Sequence, residues 1–367
     1  MTLHTLAKWN GVTFCAGRLI FNFFPLNRRN CIIISTNRTI TTLGQLQNKL
    51  KIKHLEKENK QRKLMEKLML NNGWIKTKFF DIFPWSVSGV ESCIVVRNPE
   101  VSVAFDMGYT FSEAVRCPTV FISHGHVDHT AGIIQHASKR SLNTMPVASY
   151  YMPHHIVEPL QMMAQLQNRI HDSSGKDDVC PMKLHGVTAG DTVKISSNWF
   201  ARPFPTQHRV ESQGYILYKL EKKLKPEFRG LPGQEIGALV RSGQDVNDHS
   251  EIPVLAYTGD TTFDLFLNPP TEDLLKVDTL ITETTYIDGG EASMKKAFDR
   301  GHCHILQFAE NEQLFKSVNN LVFVHFSNKY SSGYIQRTCS EILSPAMLDK
   351  THLGCHYKVL TESIQHK

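Results

Sequence analysis

From about residue 79 onward, short apolar runs alternate with Gly- and Pro-containing breaks, the pattern of buried strands joined by turns. Runs at 92–96 (SCIVV), 101–105 (VSVAF), 119–122 (TVFI), 215–218 (YILY), 254–258 (VLAYT), 278–282 (DTLIT) and 320–324 (NLVFV) read as strands. Helical periodicity lies between several of them, at 130–138 and across 291–316. Strands first, then strands mixed with helices, predict layered α/β packing. Upstream, 46–71 is built of strong helix formers with charges of both signs, so 46–75 reads as a solvated helical linker. There is no repeat at a 20–50-residue period and no low-complexity tract.

Composition changes this picture mainly at the N-terminus. The chain of 367 residues has a formal charge of +6, but residues 1–55 contain eight basic side chains and no Asp or Glu, leaving 56–367 at −2. The body is not globally basic, so net charge alone argues nothing about a nucleic-acid partner. Residues 1–45, basic and rich in Ser, Thr and Asn, have the composition of an organelle transit peptide. The plain alternative is a disordered leader, and the Ile32-Ile33-Ile34 run fits a transit peptide poorly. The expected address is a mitochondrion or other organelle, otherwise nucleus or cytoplasm. Eight scattered cysteines with no CxxC pair do not resemble a disulfide framework or a thiolate zinc site, and point to reduced thiols inside a cell. No apolar run reaches the roughly 18–20 residues that span a bilayer, so no membrane segment is expected.

The chemistry concentrates in TVFISHGHVDHTAG (119–132). A strand runs into His124, His126, Asp128 and His129, and a helix follows. Imidazole and carboxylate suit catalytic zinc, where a full thiolate set would close the coordination sphere. His124 and His126, at i and i+2, project from one side of extended chain, whereas Asp128 and His129 can face a second metal. A His-rich surface loop is the bland reading, and this spacing at a strand-to-helix junction argues against it. His208 (in FPTQHRVESQGYILY), Asp260 (after VLAYTG) and His325 (after LVFV) are weak signals singly, since an isolated His is usually a satisfied polar residue and an Asp at a strand end a turn former. Together, the strands 119–122, 254–258 and 320–324 each deliver a His or Asp where they stop, which is where α/β folds gather ligands.

HxHxDH resembles the signature of the metallo-β-lactamase superfamily, which implies a four-layer αββα sandwich with ligands on loops at one edge. Within it the chain resembles ribonuclease Z over roughly 85–360, in AFDMG (104–108), SHGHVDHTAG, QHRVESQGYIL, YTGDTT, ETTYID (283–288), GHCH (301–304) and VHFSNKY (324–330). It looks closest to the short-form eukaryotic enzymes. The resemblance implies a homodimeric endoribonuclease that removes the 3′ trailer from precursor tRNA, leaving a 3′-hydroxyl on the tRNA and a 5′-phosphate on the trailer. It implies two zinc ions, or manganese in their place. His124, His126 and His208 would hold one, Asp128, His129 and His325 the other, and Asp260 would bridge them. Two such ions about 3.5–4 Å apart activate water and neutralise phosphate charge. His302 would be the general acid, oriented by Glu283 and counted with Asp128 as catalytic. Asp106 reads as a carboxylate orienting a ligand His. Ser327 and Lys329 are candidate substrate contacts. Asn328 and Lys329 stand where many members have Ser or Ala, then Arg, so a bidentate fork is replaced by a point charge.

The insertion 219–246 resembles the arm with which ribonuclease Z grips tRNA, with Lys222, Lys223, Lys225 and Arg229 as candidate phosphate contacts. By itself it reads equally as a charged solvated loop. The catalytic domain is therefore drawn at 76–367 with this arm inside it. Two rival functions share the ligands: a binuclear small-molecule phosphodiesterase or other hydrolase, and a catalytically silent metal-binding RNA scaffold. The arm and the GHCH segment speak against the first. The survival of all seven ligand candidates speaks against the second.

Overall fold

The apolar runs build two seven-stranded sheets whose strands follow one another in chain order. The computed structural model describes residues 73–357 and, before them, short pieces at 8–9, 12–13, 48–49, 51–52, 55–56 and 59. The chain divides into two units, Met1–Glu56 and Lys57–Lys367. In the first, Lys8–Trp9 pairs antiparallel with Val12–Thr13. The proposed leader and the helical linker fall largely outside the described residues.

The first sheet holds β1 (Ile75–Lys76), β2 (Asp81–Val87), β3 (Glu91–Arg97), β4 (Ser102–Phe105), β5 (Thr119–Phe121), β6 (Ser149–Met152) and β7 (Lys183–Gly186). The second holds β8 (Val193–Lys194), β9 (Trp199–Pro205), β10 (Gln213–Leu224), β11 (Asn247–Tyr257), β12 (Thr279–Glu283), β13 (Asn320–Val324) and β14 (Thr351–Leu353). In each sheet the first four strands are antiparallel and the rest parallel. The two halves thus share a topology that leaves no repeat in the sequence.

Three apolar clusters account for the layers. Ile94, Phe105, Phe121, Tyr215, Leu255, Ile281 and Val322 belong to the cluster between the sheets. Alternate residues of the same strands point outward. Val95, Ala104 and Val120 pack with α1 (Ser112–Val115), α3 (Ile133–Leu142) and α4 (His154–His171). Ile216, Leu280, Leu321 and Phe323 pack with α6 (Asp264–Leu267), α8 (Ile305–Glu310), α9 (Ser332–Ile342) and α10 (Pro345–Lys350). Strands buried on both faces read as unbroken apolar runs instead of alternating ones, which is why they stood out. The arrangement is the αββα sandwich.

Two expectations need correction. The pattern across 291–316 is not one helix: α7 (Gly290–Asp299) ends, residues 300–304 form a loop, and α8 and a 3-10 turn at Glu312–Phe315 follow. The 130–138 pattern is likewise split at Gly132 into α2 (Val127–Thr130) and α3. Gly132 is required there, because a Cβ would stand 2.6 Å from Thr110 Oγ1. The arm is more ordered than a loop. Strands β10 and β11 run on beyond the sheet, pairing Lys219 with Ile252 through to Leu224 with Asn247, and α5 (Gly233–Arg241) caps the projection.

Candidate active site and metal centre

Parallel strands deliver their C-terminal ends to one edge of the sandwich. Asp106 follows β4, His124 and His126 follow β5, Asp260 follows β11, Glu283 ends β12 and His325 follows β13. His124, His126, His208 and Asp260 each offer a ligand atom within 4.8 Å of the others, and Asp128, His129 and His325 form a second such group. Asp260 stands between them. Its Oδ2 lies 3.8 Å from His124 Nε2, 3.5 Å from His129 Nε2 and 4.0 Å from His208 Nε2, and its Oδ1 3.4 Å from His325 Nδ1. These separations are long for direct charge-assisted hydrogen bonds. Asp260, Asp128, His302 and His325 also meet around the same space.

Donor counting shows where the lone pairs point. Asp106 accepts from Ser123 N (2.7 Å), Ser123 Oγ (2.9 Å), His129 Nδ1 (2.7 Å) and Tyr257 OH (2.5 Å). Ser123 spends its one hydroxyl proton on that carboxylate, so His124 Nδ1 must donate to Ser123 Oγ at 2.9 Å. His208 Nδ1 donates to Gly301 O at 2.7 Å. Thr285 Oγ1 donates to Glu283 Oε2 at 2.5 Å, so His325 Nδ1 donates to Thr285 Oγ1 at 3.0 Å. Four imidazoles therefore spend Nδ1 on an acceptor behind them and turn Nε2 inward. The His325 nitrogen there faces Asp128 Oδ2 at 3.3 Å. At His129 burial, which would lower the pKa, is outweighed by Asp260 and Asp106, which raise it, so a bound cation would take the place of a proton. His129 Nε2 is buried and has no hydrogen-bond partner. His124 Nε2 and His126 Nδ1 are only 2.9 Å apart. Converging ring nitrogens, an orphaned buried nitrogen and a central carboxylate fit a metal centre, with His124, His129, His208 and His325 each oriented from behind. Burial lowers the pKa of His124, His126 and His208, favouring the neutral form a cation needs. Burial would raise Asp260, but His325 and His129 outweigh it and hold the carboxyl well below the usual range.

Backbone strain marks the same place. Of the three non-glycine residues at positive φ among the described residues, Asp106 (57°) and His325 (60°) lie here and Thr144 (56°) in the turn after α3, a conformation that persists only where surroundings hold it. Gly108 is needed for close approach, since a Cβ there would lie 1.7 Å from the Asp128 carbonyl. Gly89 N donates to Asp128 Oδ2 at 2.8 Å, fixing that carboxylate from the β2–β3 turn.

Beside the metal centre stands a His–Glu pair. Glu283 is buried, and its Oε1 accepts from His302 Nδ1 (2.8 Å) and Thr261 N (3.0 Å), while Oε2 accepts from Thr285 N (3.1 Å) and Thr285 Oγ1. Burial pulls the His302 pKa down, but the charge and hydrogen bond of Glu283 outweigh it, and the value is raised to about 9. Gly301, at φ 74°, turns the chain so that His302 enters the site.

The remaining candidates lie elsewhere. Lys329 Nζ is held by Asp288 at 2.9 and 3.0 Å, so the point charge expected for a phosphate is already paired. Ser327 N donates to Thr285 O at 3.1 Å, beside the site. Lys222, Lys223 and Arg229 are exposed on the arm, with Lys223 3.7 Å from Glu221, and Lys225 Nζ donates to Asp245 O. Sequence reasoning missed Ser123, Tyr257, Thr285 and the Gly89 amide. Ser123, Tyr257 and Thr285 lie within quoted motifs, but nothing in the sequence says that the first two meet at Asp106 or the third at Glu283.

Comparison with known proteins adds the family. The beta-lactamase superfamily domain matches residues 110–326. The chain is 32% identical over 290 residues to "tRNase Z TRZ2, chloroplastic" of Arabidopsis thaliana, covering 79% of each chain. It is 32% identical over 260 residues to "tRNase Z TRZ1" of the same plant, covering 71% of this chain and 90% of the relative. A solved structure of human tRNase Z, short form, aligns over 68% of this chain and 92% of its own, at 18% identity and TM-score 0.45.

Proposed function

Because the chain belongs to the tRNase Z family of the beta-lactamase superfamily, we infer that it is an endoribonuclease that processes the 3′ ends of precursor tRNA. The observation that carries the reading is a ring of inward-facing imidazoles around Asp260, with the Glu283–His302 pair beside it. The metal-dependent hydrolase chemistry of the family needs both. In the finer reading, His124, His126 and His208 would hold one zinc ion and Asp128, His129 and His325 a second, with Asp260 a ligand available to either group, and manganese could take their place. When bound, these cations supply an activated water and neutralise charge on the attacked phosphate.

The chain's own residues do the rest. Asp106, Ser123 and Thr285 fix the tautomers of His129, His124 and His325. Protonated His302 donates a proton to the departing ribose O3′, while Glu283 steadies the imidazolium and aims it. A 3′-hydroxyl then remains on the tRNA and the 5′-phosphate on the trailer. The arm, projecting from β10 and β11, offers Lys222, Lys223 and Arg229 to the phosphate backbone away from the cut.

A homodimer is the assembly we favour, because α4 exposes Met163, Leu166 and Ile170 at i, i+3 and i+7 spacing, an apolar stripe suited to a second copy. Light scattering giving a monomer at micromolar protein would contradict it. The acid-free leader and the chloroplastic name of one relative support an organelle address. Among the described residues no helix is long and apolar enough to cross a membrane. The function is tested by incubating the purified protein with a 3′-extended precursor tRNA and with an unstructured RNA of equal length. Cleavage of the precursor, abolished by chelation and restored by zinc, is expected. Equal cleavage of both RNAs would favour a general phosphodiesterase.

A further inference from the structure

A depression of about 420 Å³ opens beside His208, lined by Gln207, Arg209, Thr262, Asp264, Phe298 and Gly301. That size lies within the range of small-molecule sites. Its lining has the chemistry of a nucleotide receptor. Phe298, at the C-terminal end of α7, is 52% exposed and offers a ring to solvent. Arg209 is exposed and makes no ion pair among the described residues. The Gln207 side chain has its oxygen occupied by Thr262 Oγ1 at 2.9 Å, which leaves its amide protons to donate. Asp264 adds one acceptor. A single exposed Phe or Arg needs no explanation. An aromatic face, a guanidinium, an amide and a carboxylate around one cavity match a base stacked on a ring with its phosphate on a cation.

The position of the depression identifies which nucleotide. Gly301 forms part of its wall and is followed in sequence by His302, and a Cβ on Gly301 would lie 3.1 Å from Arg209 N. The cavity thus sits on the side of the centre that carries His208 and His302, away from Asp128 and His129. A general acid must stand next to the oxygen it protonates. The ribose bearing that oxygen therefore lies on the His302 side, and its base lies where the depression opens.

We propose that this depression is the subsite for the last nucleotide retained on the RNA, its base stacked on Phe298 and its phosphate met by Arg209. The proposal rests on the endoribonuclease reading and on His302 as the acid. It makes Phe298 a determinant of substrate binding that follows no family motif quoted above.

The test is a two-by-two comparison of precursors with an intact or an abasic last retained nucleotide, cut by wild type and by Phe298→Ala. Wild type should lose roughly ten-fold in kcat/KM on the abasic substrate, mostly through KM, the scale of one base–aromatic stack. Phe298→Ala should show that loss already on the intact substrate and little further loss on the abasic one. Phe298→Trp should restore the discrimination, which separates stacking from a folding defect. Arg209→Ala should raise KM on both substrates alike, since a phosphate is present in each. Wild type indifferent to the missing base, or Phe298→Ala still discriminating in full, would overturn the subsite. Failure of wild type to cut either precursor would instead overturn the endoribonuclease reading, and the subsite with it.

Discussion

Replacing Glu283 by Gln tests the catalytic pair at its base. The carboxylate is buried, and its two oxygens accept from two backbone amides, one hydroxyl and one imidazole. An amide side chain has only one oxygen. Whichever way it turns, its NH₂ faces one of the backbone N–H groups, Thr261 or Thr285. The buried donor left unpaired costs about 1–3 kcal/mol of stability in ground and transition state alike, whereas the lost charge-assisted bond to His302, about 1.5–3 kcal/mol, is the part that reaches the barrier. With 1.36 kcal/mol per factor of ten, kcat should fall by roughly 10–100-fold. The pH profile is the more specific readout. His302 acts when protonated, so kcat is high below its pKa and falls as pH rises through it. Glu283 is what raises that pKa against burial, to about 9 in the protein without metal. Bound cations lower it in wild type and variant alike, so the comparison between them keeps its sign. The alkaline fall in kcat should therefore move to lower pH in Glu283→Gln. Single-turnover cleavage of a 3′-extended precursor as a function of pH measures it. A lower rate with an unmoved or upward-moved profile would show that Glu283 does not hold the acid.

Asp260→Ala should reduce bound metal below two per chain, read by atomic emission, and abolish cleavage; retention of two ions would remove it as the shared ligand. His302→Ala should keep both ions and lose turnover by ~10²–10⁴-fold, and loss of metal instead would place it among the ligands. Thr285→Val frees the His325 Nδ1 proton from its acceptor and should weaken metal affinity about ten-fold or more, while Thr285→Ser should restore it, as followed by competition with a chelator. Replacing about 221–244 by a short Gly/Ser loop should raise KM for precursor tRNA far more than for a small activated phosphodiester, and charge reversal at Lys222 and Lys223 should flatten the salt dependence of binding. Equal losses on both substrates would mean that the arm supports the fold.

The layered fold was legible because strands buried on both faces show as plain apolar runs, such as SCIVV in the antiparallel β3 and NLVFV in the parallel β13. Asp81–Val87 escaped notice because Pro84 and Trp85 interrupt its pattern, and β7 because its side chains are half exposed. The ligand candidates were legible because each lies just past a strand or in a dense His motif. The break before His302 did carry a local signal, Gly301 one residue past the C-cap of α7 at φ 74°, which the reading of 291–316 as one helical pattern passed over. The pairing of Lys329 with Asp288 was hidden for a different reason: the partner is 41 residues away, and pairing at that distance has no local signature. Ser123, Thr285 and Tyr257 carry no chemistry of their own and gain a role only where the sheets bring them to Asp106 and Glu283.

Release of a ribose 3′-oxygen at the 3′ boundary of folded tRNA is the reaction proposed for this centre. It is tested most directly by mapping the cut on a 3′-extended precursor and determining both new ends. One cut is expected directly after the last nucleotide kept in the tRNA, with a 3′-hydroxyl on the tRNA and a 5′-phosphate on the trailer. A 2′,3′-cyclic phosphate, or a 5′-hydroxyl on the trailer, would contradict it, because the proton from His302 would then have gone to the wrong oxygen.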